Sequence, residues 1–292
     1  MEFKDLEIFQ AVVEAGTITE AAKKLSYVQS NITSRIQKLE TELNTPLFHR
    51  HRRGMSLTPE GKKLLFYSEK ILSLTNEMKK AVQRSDEPAG KLEIGAVETV
   101  IHLPKILSSF VKKYKNVDLS LITGVTDTLQ DDVLHYKLDG AFVSEADFHP
   151  DLVSYDVFEE ELVVVSDVRA SSLEELQDEP FLCFSKGCGY RARFELWYQD
   201  QNISPKKVME FGTLETILQS VIAGLGITFA PRSSVIELEK KGLVRCHTLP
   251  NKYSKIKTVF IRRADSYLTA TMEKFIETIQ MNKQIVNETM ND

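Results

Sequence analysis

Between Ser26 and Glu40 the chain reads SYVQSNITSRIQKLE, and Ser30, Asn31, Thr33, Ser34 and Gln37 line up neutral hydrogen-bonding groups in it. Hydroxyls and amides of this kind can bond base edges or phosphate oxygens, whereas Asp or Glu in their place would be repelled by a phosphate backbone. With Ile32 set at zero and about 100° per residue, Ile36 and Leu39 fall within about 40° of it and face a core. Ser30, Thr33, Ser34 and Gln37 then gather on the far side, Asn31 and Arg35 lie on the flanks, and Gln29 ends the preceding turn. Solvated helix faces usually carry Glu and Lys, so this uncharged face suggests a contact surface.

A second group follows at once. No acid occurs between Glu42 and Glu60, and Arg50, Arg52 and Arg53 fall in that gap beside His49 and His51. A basic hairpin just after the uncharged helix can lie along a phosphate backbone. The His-x-His pair is read as a phosphate or structural contact. No carboxylate or thiolate is near in sequence, and the intervening arginine would repel a cation, so no metal is expected.

The elements that must hold these groups can be read from periodicity. Leu6, Phe9, Val12 and Val13 share one face of a helix stopped by Gly16, and TITEAAKKL follows, with Thr17 or Thr19 as its N-cap. Ala21 and Ala22 permit close approach of a neighbouring helix. Two helices joined by a short turn, the second with a donor-rich outer face, form a helix-turn-helix, and NTPLFHRHRRGMSLT adds a two-stranded wing. Thr58 then caps a long helix over 59–87, with Pro59 in its first turn. Leu64, Tyr67, Ile71, Leu74, Met78 and Ala81 recur at spacings of 3, 4, 3, 4 and 3, a heptad seam that asks for a partner helix and predicts a dimer. Pro88 and Gly90 break this helix. Beyond them KLEIGAV, VDLSLIT, DGAFV, LVVVSD, PFLCF and GITFAP alternate with helical patterns, which predicts an α/β region with a mostly parallel sheet covered on both faces.

Composition sets the outer limits. The 292 residues, 42% hydrophobic and 27% charged, suit a folded protein of two or more domains. The formal charge is -5, yet residues 1–87 hold 14 Lys and Arg against 12 Asp and Glu, a net of +2 that leaves -7 for residues 88–292. The start MEFKDLEIFQ lacks the pattern of a signal peptide, and no apolar run approaches a membrane span, so a soluble cytoplasmic protein is expected. Cys183, Cys188 and Cys246 form no C-x-x-C pair, which fits a reducing compartment.

Leu6 and Phe9, AGTITEAAKKL, QSNITSRIQKLETELNTPLFHR and RGMSLTPEG, in one order and spacing, resemble the N-terminal signature of the LysR-type transcriptional regulators. Many members have Pro-Ala-Val-Ser where this chain has Ser30-Asn31-Ile32-Thr33, which bears on the DNA sequence read. The resemblance implies a winged helix-turn-helix over 1–58, a linker and dimerisation helix over 59–87, and an effector domain of two periplasmic-binding-protein-like α/β subdomains. These would span 91–161 with 265–292, and 162–264, the chain crossing near 162 and 264 and a last helix starting near Ser266. VIAGLGITFAPRSSV is also family-like, with Gly224 as a left-handed helix stop, Gly226 for close packing and Pro231 ending a strand.

In such sheets ligands bind beyond the carboxyl ends of strands, near helix N-termini. That rule nominates Thr99 and His102, Thr126 and Thr128, Ser185 and Lys186, and Thr213 for a small polar or anionic effector. The alternative for Thr99, Thr128 and Thr213 is that they only cap helices. Cys188, beside Lys186 and Arg191, is also a candidate for a lowered pKa and redox switching. No G-x-x-x-x-G-K-[ST], G-x-S-x-G, H-E-x-x-H or complete G-x-G-x-x-G occurs, so an enzyme is not expected and no cofactor is called for. The predicted partners are double-stranded DNA, the effector and a second copy of the chain, as homodimer or homotetramer, with no membrane.

Overall fold

The computed structural model describes residues 1–51, 54–82, 87–170, 172–203 and 205–289, without the side chains of 80, 81, 174 and 284–289. By contacts the chain divides into two units, Met1–Arg84 with His135–Lys137, and Ser85–Leu134 with Leu138–Asp292.

In the first unit α1 (Phe3–Ala15) ends at Gly16, whose φ of 69° is the left-handed conformation that needs no Cβ. Thr17, not Thr19, caps α2 (Ile18–Leu25), its hydroxyl accepting the Glu20 N–H at 3.2 Å. Next comes α3 (Gln29–Glu42), followed by β1 (Phe48–His51) and β2 (Gly54–Leu57), which pair antiparallel from Phe48↔Leu57 to His51↔Gly54. Phe9, Val12, Ala21, Ile32, Ile36 and Leu39 close the core, and Phe48 anchors the wing with its ring 5.3 Å from that of Phe9. The Thr58 hydroxyl accepts the Gly61 N–H at 2.9 Å at the start of α4 (Pro59–Val82).

The second unit contains β3 (Gly90–Ala96), α5 (Leu103–Lys113), β4 (Val117–Thr123), α6 (Thr126–Leu134), β5 (Gly140–Ser144) and the 15-residue β6 (Leu152–Ser166). It continues with β7 (Phe181–Cys183), α7 (Gly189–Asp200), β8 (Val208–Glu210), α8 (Leu214–Ile222) and β9 (Thr228–Pro231). It ends with α9 (Arg232–Lys240), β10 (Arg245–Thr248), α10 (Asn251–Ser254), β11 (Lys255–Arg263) and α11 (Ala270–Thr289). The principal sheet runs β10-β6-β11-β5-β3-β4, with β9 also on β6.

Two expectations need correction here. The sheet is not mostly parallel: β3 pairs parallel with β4 and β5, but β5–β11, β11–β6, β6–β10 and β6–β9 are antiparallel. Alternating strand and helix patterns look the same whichever way a strand runs, and here the long strands β6 and β11 carry the chain between the two halves in opposite directions. Nor does the second crossing fall near 264. Thr258–Ile261 already pair with β5, and Val259, Phe260 and Ile261 pack with Phe110, Phe142 and Phe275 in the first half's core. The last helix begins at Ala270, four residues beyond Ser266, and returns to the first half through Met272, Phe275 and Ile279. The other half holds Phe181, Phe194, Trp197 and Phe229, and a further cluster around Val163, Leu182 and Val221. A Cβ on Gly226 would meet the Pro180 carbonyl oxygen at 2.1 Å, so the close packing expected there does require glycine.

Candidate functional site

The outer face of α3 is arranged as its periodicity predicts. Ile32, Ile36 and Leu39 are fully buried, while Gln29, Ser30, Asn31, Ser34 and Gln37 are exposed. Thr33 is half-buried, and its hydroxyl donates to the Gln29 carbonyl at 2.9 Å. Sequence reasoning passed over Val28. It stands at the N-cap without any side-chain cap bond and is 68% exposed, an apolar group beside the polar face.

Arg35, on the flank of this face, has partners within its own unit. Its Nη1 donates to Asp5 at 2.8 Å and to Glu2 at 2.9 Å, so the guanidinium ties α3 to the start of α1. Asp5 is only 1% exposed. Burial pushes its carboxyl upward, but the Arg35 hydrogen bond and the Glu2 amide outweigh that and hold it below the usual carboxylate range. Arg50 projects from β1 with its nearest paired carboxylate, Glu40, at 3.9 Å. Arg52 and Arg53 lie outside the described residues.

On α4, Leu64 and its neighbour Leu65 are partly buried against the core of the first unit. Tyr67, Leu74 and Met78 are 59%, 57% and 58% exposed, and Ile71 is at 36%. Four large apolar groups at heptad spacing thus lie in solvent along one helix. The Ala81 side chain is outside the described residues.

In the second unit a cavity of about 280 Å³ opens between the two halves, and Thr99, Thr123, Thr128, Ser144 and Ser185 supply aliphatic hydroxyls to its lining. Phe184, Phe211 and Tyr190 supply aromatic surface, and Glu98 is the only charged side chain among the lining residues. Backbone groups join the halves nearby. The Leu214 N–H donates to Glu98 Oε2 at 3.1 Å, and the Asp127 N–H donates to the Gly187 carbonyl at 3.3 Å. A Cβ on Gly187 would lie 2.9 Å from Asp127, so this approach depends on glycine. Thr99 is 2% exposed, and its hydroxyl makes no hydrogen bond of good geometry among the described residues, with the Tyr190 phenol as its polar neighbour. Thr126 Oγ1, His102 Nε2 and Glu160 Oε2 likewise make none.

The nominated residues therefore divide. Thr99, Thr128 and Ser185 line the cavity, whereas His102, Thr126, Lys186 and Thr213 do not. Thr126 is buried behind it at the start of α6, and the His102 ring sits edge-on to Phe158 at 5.6 Å. Thr213 caps α8 by accepting the Thr216 N–H, and Lys186 is exposed. Cys188 corrects another expectation: burial pushes its thiol up, against the weaker pull of the Tyr190 and Arg191 amides and the Arg191 charge. Cys183 is likewise pushed up by burial, to about 11. Ser144, Tyr190 and the two phenylalanines were missed because they lie within apolar strand or helix patterns. Only the three-dimensional meeting of the halves brings them together.

The comparisons agree with this division. The model of bacterial regulatory helix-turn-helix proteins of the lysR family matches residues 3–62, and that of the LysR substrate binding domain matches 85–283. The HTH-type transcriptional regulator SoxR of Arthrobacter sp. (strain TE1826) is 60% identical over 280 residues, 96% of this chain and 97% of that protein. The regulator CzcR of Bacillus subtilis (strain 168) is 48% identical over 285 residues, 98% and 99% of the two chains. Among solved structures, CbnR, a LysR family transcriptional regulator, superposes with a TM-score of 0.70 at 22% identity, covering 97% of this chain and 99% of that one. A complex of full-length CbnR with its target DNA gives 0.68 at 22% identity, over 96% and 99%. At that identity the structural likeness speaks for the fold.

Proposed function

The chain belongs to the LysR family of bacterial helix-turn-helix regulators, and from that premise we propose that it reads a two-fold-symmetric DNA site as a dimer, through the outer face of α3, under the control of a small polar ligand in the cleft. It is a DNA-binding transcriptional regulator with an effector-binding domain. The observation that carries the ligand reading is Thr99. Its hydroxyl is buried on the wall of a cavity and makes no hydrogen bond of good geometry, with only the Tyr190 phenol beside it. Buried hydroxyls are normally paired, and a ligand that pairs this one removes a standing cost. Thr128 and Ser144 on one half and Ser185 on the other would hold the same ligand from both sides. A ligand bridging two halves favours their closed arrangement by its differential affinity for it. Closure would bend β6 and β11, the strands that cross between the halves, and so alter the spacing of paired reading heads and the bend in the DNA.

At the DNA, Ser30, Asn31, Ser34 and Gln37 would contact base edges, with Gln29 and Thr33 beside them. Arg50, Arg52 and Arg53 would lie along phosphates. Arg35 serves by fixing α3 on α1. Tyr67, Ile71, Leu74 and Met78 would form the seam of the dimer, with a tetramer as its further assembly. No described helix is long and apolar enough to cross a membrane. The site of action would be the cytoplasm, where the DNA is.

Footprinting on the DNA next to the protein's own gene, with and without small metabolites, tests this reading. Two protected half-sites related by two-fold symmetry, whose protection changes with a ligand, are expected. A footprint without symmetry would sink the paired-reader model, and one indifferent to every ligand that binds the protein would sink the coupling.

A further inference from the structure

Three helices of the first unit start on a side chain that bonds their own first turn. The Asp5 carboxylate accepts the Glu2 N–H at 2.8 Å, the Thr17 hydroxyl accepts the Glu20 N–H at 3.2 Å, and the Thr58 hydroxyl accepts the Gly61 N–H at 2.9 Å. The start of α3 is built differently. Its N-cap residue is Val28, extended at φ -80° and ψ 145°, and a valine side chain has no atom that can accept an amide. Its carbonyl takes the Asn31 N–H at 3.0 Å, so the backbone starts the helix without help from the side chain. Ser, Thr, Asn and Asp are the residues that stabilise this position, and valine is among the poorest.

The side chain does not serve the core either. Val28 is 68% exposed, while Ile32, one turn further on, is fully buried. Valine and threonine share one shape, so a methyl here stands where a capping hydroxyl would satisfy an amide. A residue that neither caps nor packs is disfavoured in the free chain on both counts. What it offers is a rigid pair of methyl groups held in solvent. Departures from local rules of this kind are expected where a residue serves binding.

The surroundings indicate what those methyls meet. Gln29, Ser30 and Asn31 of the same turn are exposed and uncharged, and Arg35, one turn beyond, is tied to Asp5 and Glu2. Val28 is thus an apolar end to a polar contact face. The first residues of a recognition helix are the ones that reach base edges in the major groove. There an A·T pair shows the N7 acceptor and N6 donor of adenine, which suit a Gln or Asn amide, and the C5 methyl of thymine, which suits an apolar side chain.

We propose that Val28 is a specificity-determining residue that packs on the C5 methyl of a thymine in the DNA site. The inference rests on α3 being the reading helix and extends its contact surface to the N-cap. In the complex both apolar groups leave water, so Val28 gains there the burial it lacks in the free chain. Cytosine carries no such methyl, and the contact discriminates against it.

The test uses the full-length protein and the operator duplex defined by footprinting, with each thymine replaced in turn by deoxyuridine. That replacement deletes the C5 methyl and keeps every hydrogen-bonding group. One thymine of the site should stand out, its replacement weakening binding about fourfold, the worth of burying one methyl at ~0.8 kcal/mol. In Val28→Ser, which supplies the missing cap, and in Val28→Ala, which does not, the ratio at that thymine should fall towards one. The ratio of affinities is the readout, so a variant that binds more weakly throughout still reports, and either variant suffices if the other folds poorly. A scan flat at every thymine would overturn the proposal, and so would a ratio that stays near fourfold in the variants. Ser34→Ala and Gln37→Ala separate this from failure of the α3 reading. A flat scan with their base preference shifted rejects Val28 and keeps the helix, whereas a flat scan with their preference unshifted counts against the helix itself.

Discussion

Replacing Thr99 by valine should make the effector domain more stable and deaf to its ligand. The hydroxyl is buried without a hydrogen bond of good geometry, and valine keeps its shape while removing the polar atom. An unsatisfied buried hydroxyl costs ~1–3 kcal/mol, and the lower end applies here because Tyr190 stands close enough to relieve part of it. A gain of ~1 kcal/mol in a domain of about 200 residues raises the unfolding midpoint by ~2–4 °C. Trp197 is the only tryptophan, 7% exposed and packed on Phe194 and Phe229 in the domain's second half, so its fluorescence reports this unfolding. The same variant, titrated onto operator DNA, should keep its affinity for DNA and lose the change that ligand produces. A midpoint that falls would mean the hydroxyl is paired in the folded protein, and the reasoning from an open valence at the cleft would be refuted.

Other outcomes follow from the same contacts. Ser34→Ala and Gln37→Ala, on the exposed face of α3, should change the preferred base at fixed positions in a selection experiment while salt dependence stays constant; unchanged preference would place the reading face elsewhere. Arg50→Ala should instead weaken binding on all sequences and flatten the salt dependence, visible in titrations at several ionic strengths. Leu74→Asp, at a side chain 57% exposed, should give monomers in sedimentation velocity with the effector domain still folded. Arg35→Ala should make the first unit more acid-sensitive. Asp5 has a depressed pKa when folded, so its contribution is present above the unfolded carboxylate pKa and is lost as pH falls through the folded value. With Arg35 gone that contribution shrinks, and circular dichroism through pH 5 to 2 should show acid unfolding moved to higher pH without any change of base preference at neutral pH.

Much of the first unit was legible because local rules suffice there. A helix buries one stripe, so Ile32, Ile36 and Leu39 identify the hidden side of α3 and, by difference, the exposed one. Thr17, Gly16 and Thr58 each act within a turn of their own position. The tie of Arg35 to Glu2 and Asp5 was not legible because these partners are some thirty residues away, and a helical wheel carries no information about another helix. The packing of Leu64 on the core was not legible for the same reason: a heptad pattern cannot tell a partner helix from the helix's own domain.

The order of the segments, the helix-turn-helix with its wing, the long helix with an apolar seam, and the alternation of strands and helices were properties of the sequence by itself. They follow from periodicity and from residues whose backbone preferences act locally. Tertiary structure alone decided the strand directions, since a two-residue repeat is the same in parallel and antiparallel sheets. It also decided which hydroxyls meet at the cleft, that Cys188 is desolvated, and that Glu160 is buried without a counter-charge. Burial and pairing are relations between distant segments, and a carboxylate in the run FEEELVVV looks like its neighbours until the fold turns one of the three inward.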